Sequence, residues 1–167
     1  MAYVFNHNFH SFTKGKLSLK PLNLDLEFDK EIFQFIQKRI MEDVSNENIS
    51  VIYLNNKFIG FLQLKPFSSK SFQKDYGEMD CPFNLSSFLD GEKNTIVIEN
   101  LFLANKHQGK GIGNVIVQFL QGVFANKTLL LYSLLEAESF WMRMGFTENN
   151  DDYVYSWNSS HVLKQIA

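Results

Sequence analysis

The chain predicts an α/β domain whose sheet is largely antiparallel with a parallel centre. Three observations lead there. Short apolar, β-branched runs alternate with segments whose apolar residues recur at helical spacing. Connections rich in Gly, Asn, Asp and Ser separate them. The length of 167 residues, with 45% apolar and 20% charged, suits one domain over 1–167 and excludes global disorder.

Leu17-Ser18-Leu19-Lys20-Pro21 alternates apolar and polar and reads as a strand stopped by Pro21. Phe28, Ile32, Phe35, Ile36, Arg39 and Ile40 then keep helical spacing, with Asp25 or Asp29 as the expected cap. Ile49 to Leu54 and Phe58 to Leu64 read as hairpin partners around Asn55-Asn56-Lys57. Residues 66–93 carry Ser68-Ser69-Lys70-Ser71, Gly77, Pro82 and Gly91, so a long irregular connection is expected, with a helix near 83–89. Loops of that length in a compact domain are usually functional or mobile. Thr95 to Leu103 is the strongest strand, and one acid, Glu99, interrupts it. A glycine-rich turn, Gln108 to Gly113, leads into Ile112, Val115, Ile116, Phe119, Leu120 and Val123 at helical spacing. Thr128 to Tyr132 is an apolar strand, and Glu136 to Met144 is a short helix closed by Gly145 at its C′ position. Phe146 and Tyr153 to Trp157 give closing strands around a turn at 149–152.

Composition narrows the function. A net charge of -2, from 16 bases and 18 acids, argues against a nucleic-acid-wrapping protein or a polybasic membrane binder. Cys81 is the lone cysteine, which excludes an intrachain disulfide and a cysteine-rich metal site. It reads as a small packing residue. His7, His10, His107 and His161 show no ligand spacing, so no metal is expected. No basic, apolar leader opens the chain and no apolar run approaches the ~20 residues that span a bilayer, so a cytoplasmic protein is expected. The small net charge is a sum of opposed blocks. Residues 51–74 and 100–127 hold four and three lysines with no acid, whereas 22–50, 75–99 and 128–152 are acidic. The plain reading is solvated faces; the sharper one is that 100–127 faces an anion.

That basic block holds Gln108-Gly109-Lys110-Gly111-Ile112-Gly113-Asn114, set between a strand and a helix. Alternating glycines let backbone approach a ligand, and the N–H groups opening a helix make an anion cradle. Two familiar phosphate loops fail. A P-loop needs Gly at Ala104 and Ser or Thr after its Lys, where Gly111 stands; the dinucleotide pattern Gly-x-Gly-x-x-Gly differs from Gly109-x-Gly111-x-Gly113. The plain alternative, a glycine-capped turn, accounts for Gly109 or Gly111 but not for all three.

What fits is Gln/Arg-x-x-Gly-x-Gly/Ala, here Gln108-x-x-Gly111-x-Gly113, which resembles the acetyl-CoA signature of the GNAT superfamily of N-acetyltransferases. Ile98 to Leu103 resembles that family's central strand, Ala137 to Phe146 its aromatic and Gly-Phe block, and Leu17 to Leu22 its opening Leu-Arg-Pro strand. The resemblance implies a sheet splayed at its parallel centre and flanked by helices, acetyl-CoA as co-substrate, and transfer of the acetyl group to a primary amine by direct attack in a ternary complex. It implies that the backbone N–H groups of Gly109, Gly111, Gly113 and Asn114, with Gln108 in the motif, hold the pyrophosphate. Lys110 or Lys106 would approach the phosphates, though Lys110 is equally a solvated turn residue. The backbone of Leu103 would pair with the pantetheine arm, and the N–H near Leu101 would polarise the acetyl carbonyl. A monomer or homodimer is expected.

The reaction adds a requirement. An amine with an ordinary pKa near ~10.4 must lose a proton before it attacks. Glu99 is the candidate base, because on a strand it shares a face with Leu101 and Leu103; its plain alternative is a salt-bridged surface glutamate. The leaving thiolate needs a proton. The family's usual Tyr is Trp141 here, and its usual Asn is Leu134. Indole donates a hydrogen bond but supplies no proton. Tyr132, Tyr153 or Tyr155, or solvent, are the candidates to replace it; Tyr132 is equally a core residue, and Tyr153 and Tyr155 fit one face of a strand. Acidic stretches at Asp25 to Glu31 and Asp75 to Glu92 suggest a cationic amine as acceptor, or simply a solvated acidic surface. Two other functions stand beside the enzyme: a catalytically weak acyl-CoA-binding or regulatory module on the same fold, and an interaction protein whose aromatics form a partner surface.

Overall fold

The computed structural model describes residues 12–40, 48–68, 94–149 and 153–159. In order, the elements are β1 (Phe12–Lys14), β2 (Leu17–Pro21), α1 (Glu27–Ile40), β3 (Ile49–Leu54), β4 (Lys57–Pro66), β5 (Thr95–Leu103), α2 (Ile112–Val123), β6 (Thr128–Tyr132), α3 (Glu138–Arg143), β7 (Thr147–Asn149) and β8 (Val154–Trp157). Short 3-10 turns at Asn105–His107 and Leu135–Ala137 precede α2 and α3. The strands hydrogen-bond in the order β1-β2-β3-β4-β5-β6-β8-β7. Of the pairs whose register is described, only β5 with β6 is parallel. This is the mixed, largely antiparallel α/β sheet that the sequence predicts. The expected helix near 83–89, the acidic stretch 75–92 and Cys81 lie outside the described residues.

Two compact units divide the chain, residues 1–64 with 100–110 and residues 65–99 with 111–167. In the first, β2, β3 and β4 form an antiparallel meander. Asn55 (φ 53°) and Asn56 (φ 59°) both sit in the left-handed region, which makes a two-residue hairpin turn of the kind that matches strand twist. Lys57 belongs to β4, paired with Leu54, and not to the turn. Strand β1 is an addition to the sequence reading. Three residues are too few for alternation to show, and Gly15 (φ 62°) turns the chain back onto β2.

The capping expectation for α1 is corrected. The Leu26 carbonyl accepts the N–H of Lys30 at 3.1 Å, so the helix opens at Glu27 and neither Asp25 nor Asp29 holds the cap position. Asp29, buried in the first turn, reaches back instead: its Oδ2 accepts the Asn23 N–H at 2.9 Å and its Oδ1 accepts the Tyr53 hydroxyl at 3.3 Å. Helix α1 buries Ile32 and Ile36 against Leu22, Ile49, Val51 and Phe61. Each fully buried aliphatic side chain contributes on the order of 1.5–3 kcal/mol. Phe35, half exposed, closes the edge of this core by ring contacts with Phe58 at 5.7 Å and Phe102 at 6.1 Å.

The other unit pairs β5 with β6 over Thr95–Val97 and Thr128–Leu130, while β5 itself runs on to Leu103. Phe67, Val97, Leu130 and Val154 form its buried cluster, with Tyr132 packed on it. Helix α2 buries Ile116, Val117 and Leu120. Helix α3 ends as the sequence predicts. The Phe146 N–H bonds the Trp141 carbonyl at 3.1 Å, the Gly145 N–H bonds the Met142 carbonyl at 2.9 Å, and Gly145 has φ 82°. This is a Schellman stop, and the Trp141 and Phe146 rings, 5.2 Å apart, supply its hydrophobic contact.

One glycine inside a strand has a steric reason. A Cβ on Gly60 in β4 would overlap the Phe102 carbonyl oxygen of β5 and stand 3.1 Å from the Leu103 Cα. Beside it the Ala104 N–H donates to the Ile59 carbonyl at 2.8 Å.

Two predictions follow from this packing. Gly60→Ala should lower unfolding stability by about 1–3 kcal/mol, the range for forcing bulk into a packed site, as read by urea denaturation. The second concerns pH. Burial first, then the charge and hydrogen bond of Asp29, push the Tyr53 phenol up to about 12 from 10.0. A phenol raised on folding contributes stability that is present below the unfolded value and lost as pH rises through the folded one. Stability should therefore fall between pH 10.0 and about 12, and Tyr53→Phe should flatten that limb in denaturation midpoints measured against pH.

Candidate functional site

The residues singled out by the sequence lie along the end of β5, the loop after it and the start of α2. Alternation along β5 places Glu99, Leu101 and Leu103 on one face, and all three are half-buried. Glu99 is only 14% exposed at its side chain, and Lys65 Nζ stands 2.7 Å from its Oε2. The approach is off the hydrogen-bonding direction, so this buried oxygen accepts no aligned hydrogen bond among the described residues. The contact is an ion pair by distance and charge. Lys65 has no local sequence signal, because its partner lies on another strand.

After β5 the chain makes its 3-10 turn and enters the glycine loop. Gln108 Nε2 donates to the Leu103 carbonyl at 2.8 Å, tying the loop back to the strand. That gives the motif glutamine a structural task, and it commits the carbonyl of a residue whose backbone was expected to meet pantetheine. Gly109 (φ 69°) and Gly111 (φ 76°) are both left-handed, with open space where a Cβ would stand. Gly113 differs: its φ is ordinary, and a Cβ there would come within 3.2 Å of the Phe140 ring. Two glycines therefore shape the loop, and the third lets α2 pack against Phe140.

Gly111 caps α2 by position with no side-chain hydrogen bond, and the first helical bond is the Val115 N–H to the Gly111 carbonyl at 3.2 Å. The N–H groups of Ile112, Gly113 and Asn114 thus have no intrahelical acceptor, and the positive end of the helix dipole adds to them. The first turn of α2 carries no acid. Lys106 and Lys110 in the preceding loop are exposed. Partial desolvation first, then the Lys106 and Lys110 charges, lower the His107 imidazole from its ordinary value. An acid-free helix N-terminus entered from glycines is the kind of arrangement that can hold a phosphate or pyrophosphate.

The candidate proton donors are placed less evenly. Tyr132 and Tyr153 are neighbours, with ring centroids 6.3 Å apart. Tyr132 leans on the buried cluster of Val97 and Leu130, whereas Tyr153 is exposed and left-handed at φ 57°. Tyr155 is buried in β8, and burial first, then Glu148 and Glu138, push its phenol up to about 12. Trp141 is core, packed edge-on between Phe140 and Phe146, while Leu134 is exposed. Of the acids considered for an acceptor, Asp29 is engaged by Asn23 and Tyr53, and Glu27 pairs with Lys30 at 2.9 Å. Sequence reasoning missed Gly60 and Lys65; a glycine within an otherwise apolar strand was the available signal for the first. Among the described residues no group of three or more His, Cys, Asp or Glu gathers as a metal site, and no helix is long and apolar enough to cross a membrane.

Comparison with known proteins identifies the family. Residues 45–148 match the family model described as an acetyltransferase (GNAT) domain. No curated protein matches the chain in sequence. Among solved structures, AtaT complexed with acetyl-methionyl-tRNAfMet is 15% identical with a TM-score of 0.55, over 90% of this chain and 99% of that one. AtaTR bound with AcCoA is 13% identical with a TM-score of 0.56, over 92% and 100% of the two chains. An acetyltransferase of the GNAT family from Listeria monocytogenes is 13% identical with a TM-score of 0.56, over 88% and 98%. At these identities the likeness is one of fold.

The loop geometry makes a prediction of its own. Gly109→Ala and Gly111→Ala meet no neighbour, so their cost is conformational. Each should lower stability by about 1–2 kcal/mol, the penalty of a left-handed Cβ, and Gly111→Ala should also weaken binding of inorganic pyrophosphate in calorimetric titration.

Proposed function

Since the chain belongs to the GNAT acetyltransferase family, we propose that it moves an acetyl group from acetyl-CoA to a primary amine by direct attack in a ternary complex. The observation that carries the reading is the left-handed Gly109 and Gly111 delivering an uncapped, acid-free helix N-terminus directly after β5. The N–H groups of Ile112, Gly113 and Asn114 would hold the pyrophosphate, with Lys106 and Lys110 as nearby point charges. The backbone of β5 past its pairing with β6, which ends at Val97, would take the pantetheine arm, the Leu101 N–H polarising the thioester carbonyl.

Glu99 takes the proton of the acceptor ammonium in this scheme. The neutral amine attacks the carbonyl carbon, the C–S bond breaks, and the thiolate leaves. Trp141 supplies no proton to it, being packed in the core. Tyr153, exposed beside Tyr132, or solvent then protonates the sulfur. The weak-module reading has one observation in its favour, the absence of a tyrosine at the position Trp141 fills. Thiol release separates the two: both readings expect acetyl-CoA to raise the melting temperature, and only the enzyme releases free thiol with an amine. AtaT is complexed with acetyl-methionyl-tRNAfMet, so an aminoacyl-tRNA belongs in the acceptor screen beside polyamines, amino sugars and peptide amines.

Acetyl-CoA at a hundred times its Kd should stabilise the protein by about 2.7 kcal/mol, read as a shift in melting temperature. Glu99→Gln should lower kcat by about 10²–10⁴, the contribution of a positioned base, while the affinity for acetyl-CoA stays within a factor of two or so. An unchanged kcat would remove Glu99 from the mechanism.

A further inference from the structure

A cleft of about 490 Å³ lies where the β1-β2 and β3-β4 turns sit side by side, joined by the Asn55 N–H donating to the Lys16 carbonyl at 2.9 Å. Thr13, Lys16, Ser18, Lys20, Asn55 and Asn56 line it, all within the first compact unit. Each of these side chains donates hydrogen bonds, two are cationic, and none is an acid. Register explains how they gather. Thr13 of β1 and Tyr53 of β3 stand opposite Ser18 on either side. Lys16 and Lys20 flank Ser18 along the same face, each about 6.6–7 Å away along the chain. Lys20 Nζ lies over the Tyr53 ring, 5.5 Å from its centroid. Neither lysine has a carboxylate partner among the described residues. Asp29 is the acid of this neighbourhood, and the Asn23 N–H and the Tyr53 hydroxyl engage it. Ser18 is only 8% exposed, and its hydroxyl makes no hydrogen bond among the described residues. A polar group so far withdrawn from water ordinarily has a partner.

We propose that this cleft binds the phosphate group of a small phosphomonoester, with Lys16 and Lys20 opposing its charge and the Ser18 hydroxyl donating from the floor. The charge matches: a phosphomonoester carries roughly −1.5 to −2 at neutral pH, spread over three acceptor oxygens. A carboxylate brings one charge and two oxygens, fewer than the donors around this cleft can serve. Lysine suits phosphate as a compact point charge, with the hydroxyls and carboxamides supplying direction. The volume falls within the ~300–1,000 Å³ of small-molecule sites, so the carrier of the phosphate has room beside it. No bond is made or broken here. The site shares no residue with the glycine loop or with β5, and it is independent of the acetyltransferase reading.

The test is calorimetric titration of the full chain with phenyl phosphate and, separately, with the monoanionic diester dimethyl phosphate, at fixed ionic strength. Phenyl phosphate should bind about tenfold tighter, since it brings a further charge and oxygen to the same donors. Lys16→Gln and Lys20→Gln should each weaken it about tenfold, the loss of one charge-assisted hydrogen bond. Ser18→Ala should weaken it about threefold through the hydroxyl alone. Lys14→Gln removes the same charge from the same end of the sheet, but its pairing with Leu17 puts Lys14 on the other face. That variant should change the affinity by less than about twofold, as an exposed charge outside the cleft, and Gly111→Ala should not change it. Lys16 and Lys20 are exposed, so their variants keep the test decisive even if Ser18→Ala misfolds. Four results overturn the inference: no binding of phenyl phosphate at millimolar concentration, equal binding of the diester, equal loss in Lys14→Gln, or loss in Gly111→Ala with the lysine variants unaffected. The last would place the anion at the start of α2 instead.

Discussion

The close approach of Gly60 to the Phe102 carbonyl is the constraint on which the candidate site depends. With no Cβ in the way, the end of β5 lies against β4, and the Ala104 N–H completes the contact on the Ile59 carbonyl at 2.8 Å. The Asn100 amide donates to Gln63 at 2.8 Å along the same stretch. Phe102 is thereby turned onto Phe61, with ring centroids 5.4 Å apart, and onto the exposed edge of α1 through Phe35. The strand end is held by backbone, amide and rings together. The loop beginning at Asn105 has a fixed origin, and any ligand held by its backbone meets a preorganised partner.

A preorganised loop still has to be turned correctly, and its glycines divide that work. Gly109 and Gly111 supply left-handed φ values that a Cβ would oppose. Gly113 supplies absence of bulk beneath the Phe140 ring. Gln108 then ties the loop to Leu103. These causes are independent, which explains why the motif is longer than a turn would need. Desolvation first, then the Lys106 and Lys110 charges of the same loop, lower the His107 imidazole from its ordinary value.

Local chemistry is what the sequence made legible. The helical spacing of Ile32 and Ile36, the apolar run of Thr95 to Leu103 and the Gly145 stop all act within a few residues and stand as read, and the hairpin turn differs only in that Lys57 belongs to the strand. The glycine loop was legible for the same reason. What escaped notice depends on residues far apart in the chain. Gly60 is explained only by the carbonyl of Phe102, and Glu99 meets Lys65 only once β4 and β5 are assembled. The cap of α1 was misassigned because Asp25 and Asp29 have the right chemistry; hydrogen bonding to Asn23 and Tyr53, the latter distant in sequence, decided which group Asp29 serves. Strand β1 was too short to show a period at all.

Trp141 bears on how demanding the proposed reaction is. The indole belongs to the helix stop, stacked edge-on with Phe146 across the Schellman turn, and its burial serves the fold. The chain therefore has no tyrosine where a proton donor for the thiolate would ordinarily stand. A comparison of pKa values shows why that loss is tolerable. A thiol of ordinary pKa near ~8.5 is a competent leaving group as the thiolate and is reprotonated by water at neutral pH. An amine of pKa near ~10.4 is almost wholly protonated there and has no lone pair to attack with. Each unit of that gap corresponds to about 1.4 kcal/mol, so supplying a base matters more than supplying an acid. In the proposed scheme the carboxylate of Glu99 meets the harder demand, and the easier one is left to Tyr153 or solvent.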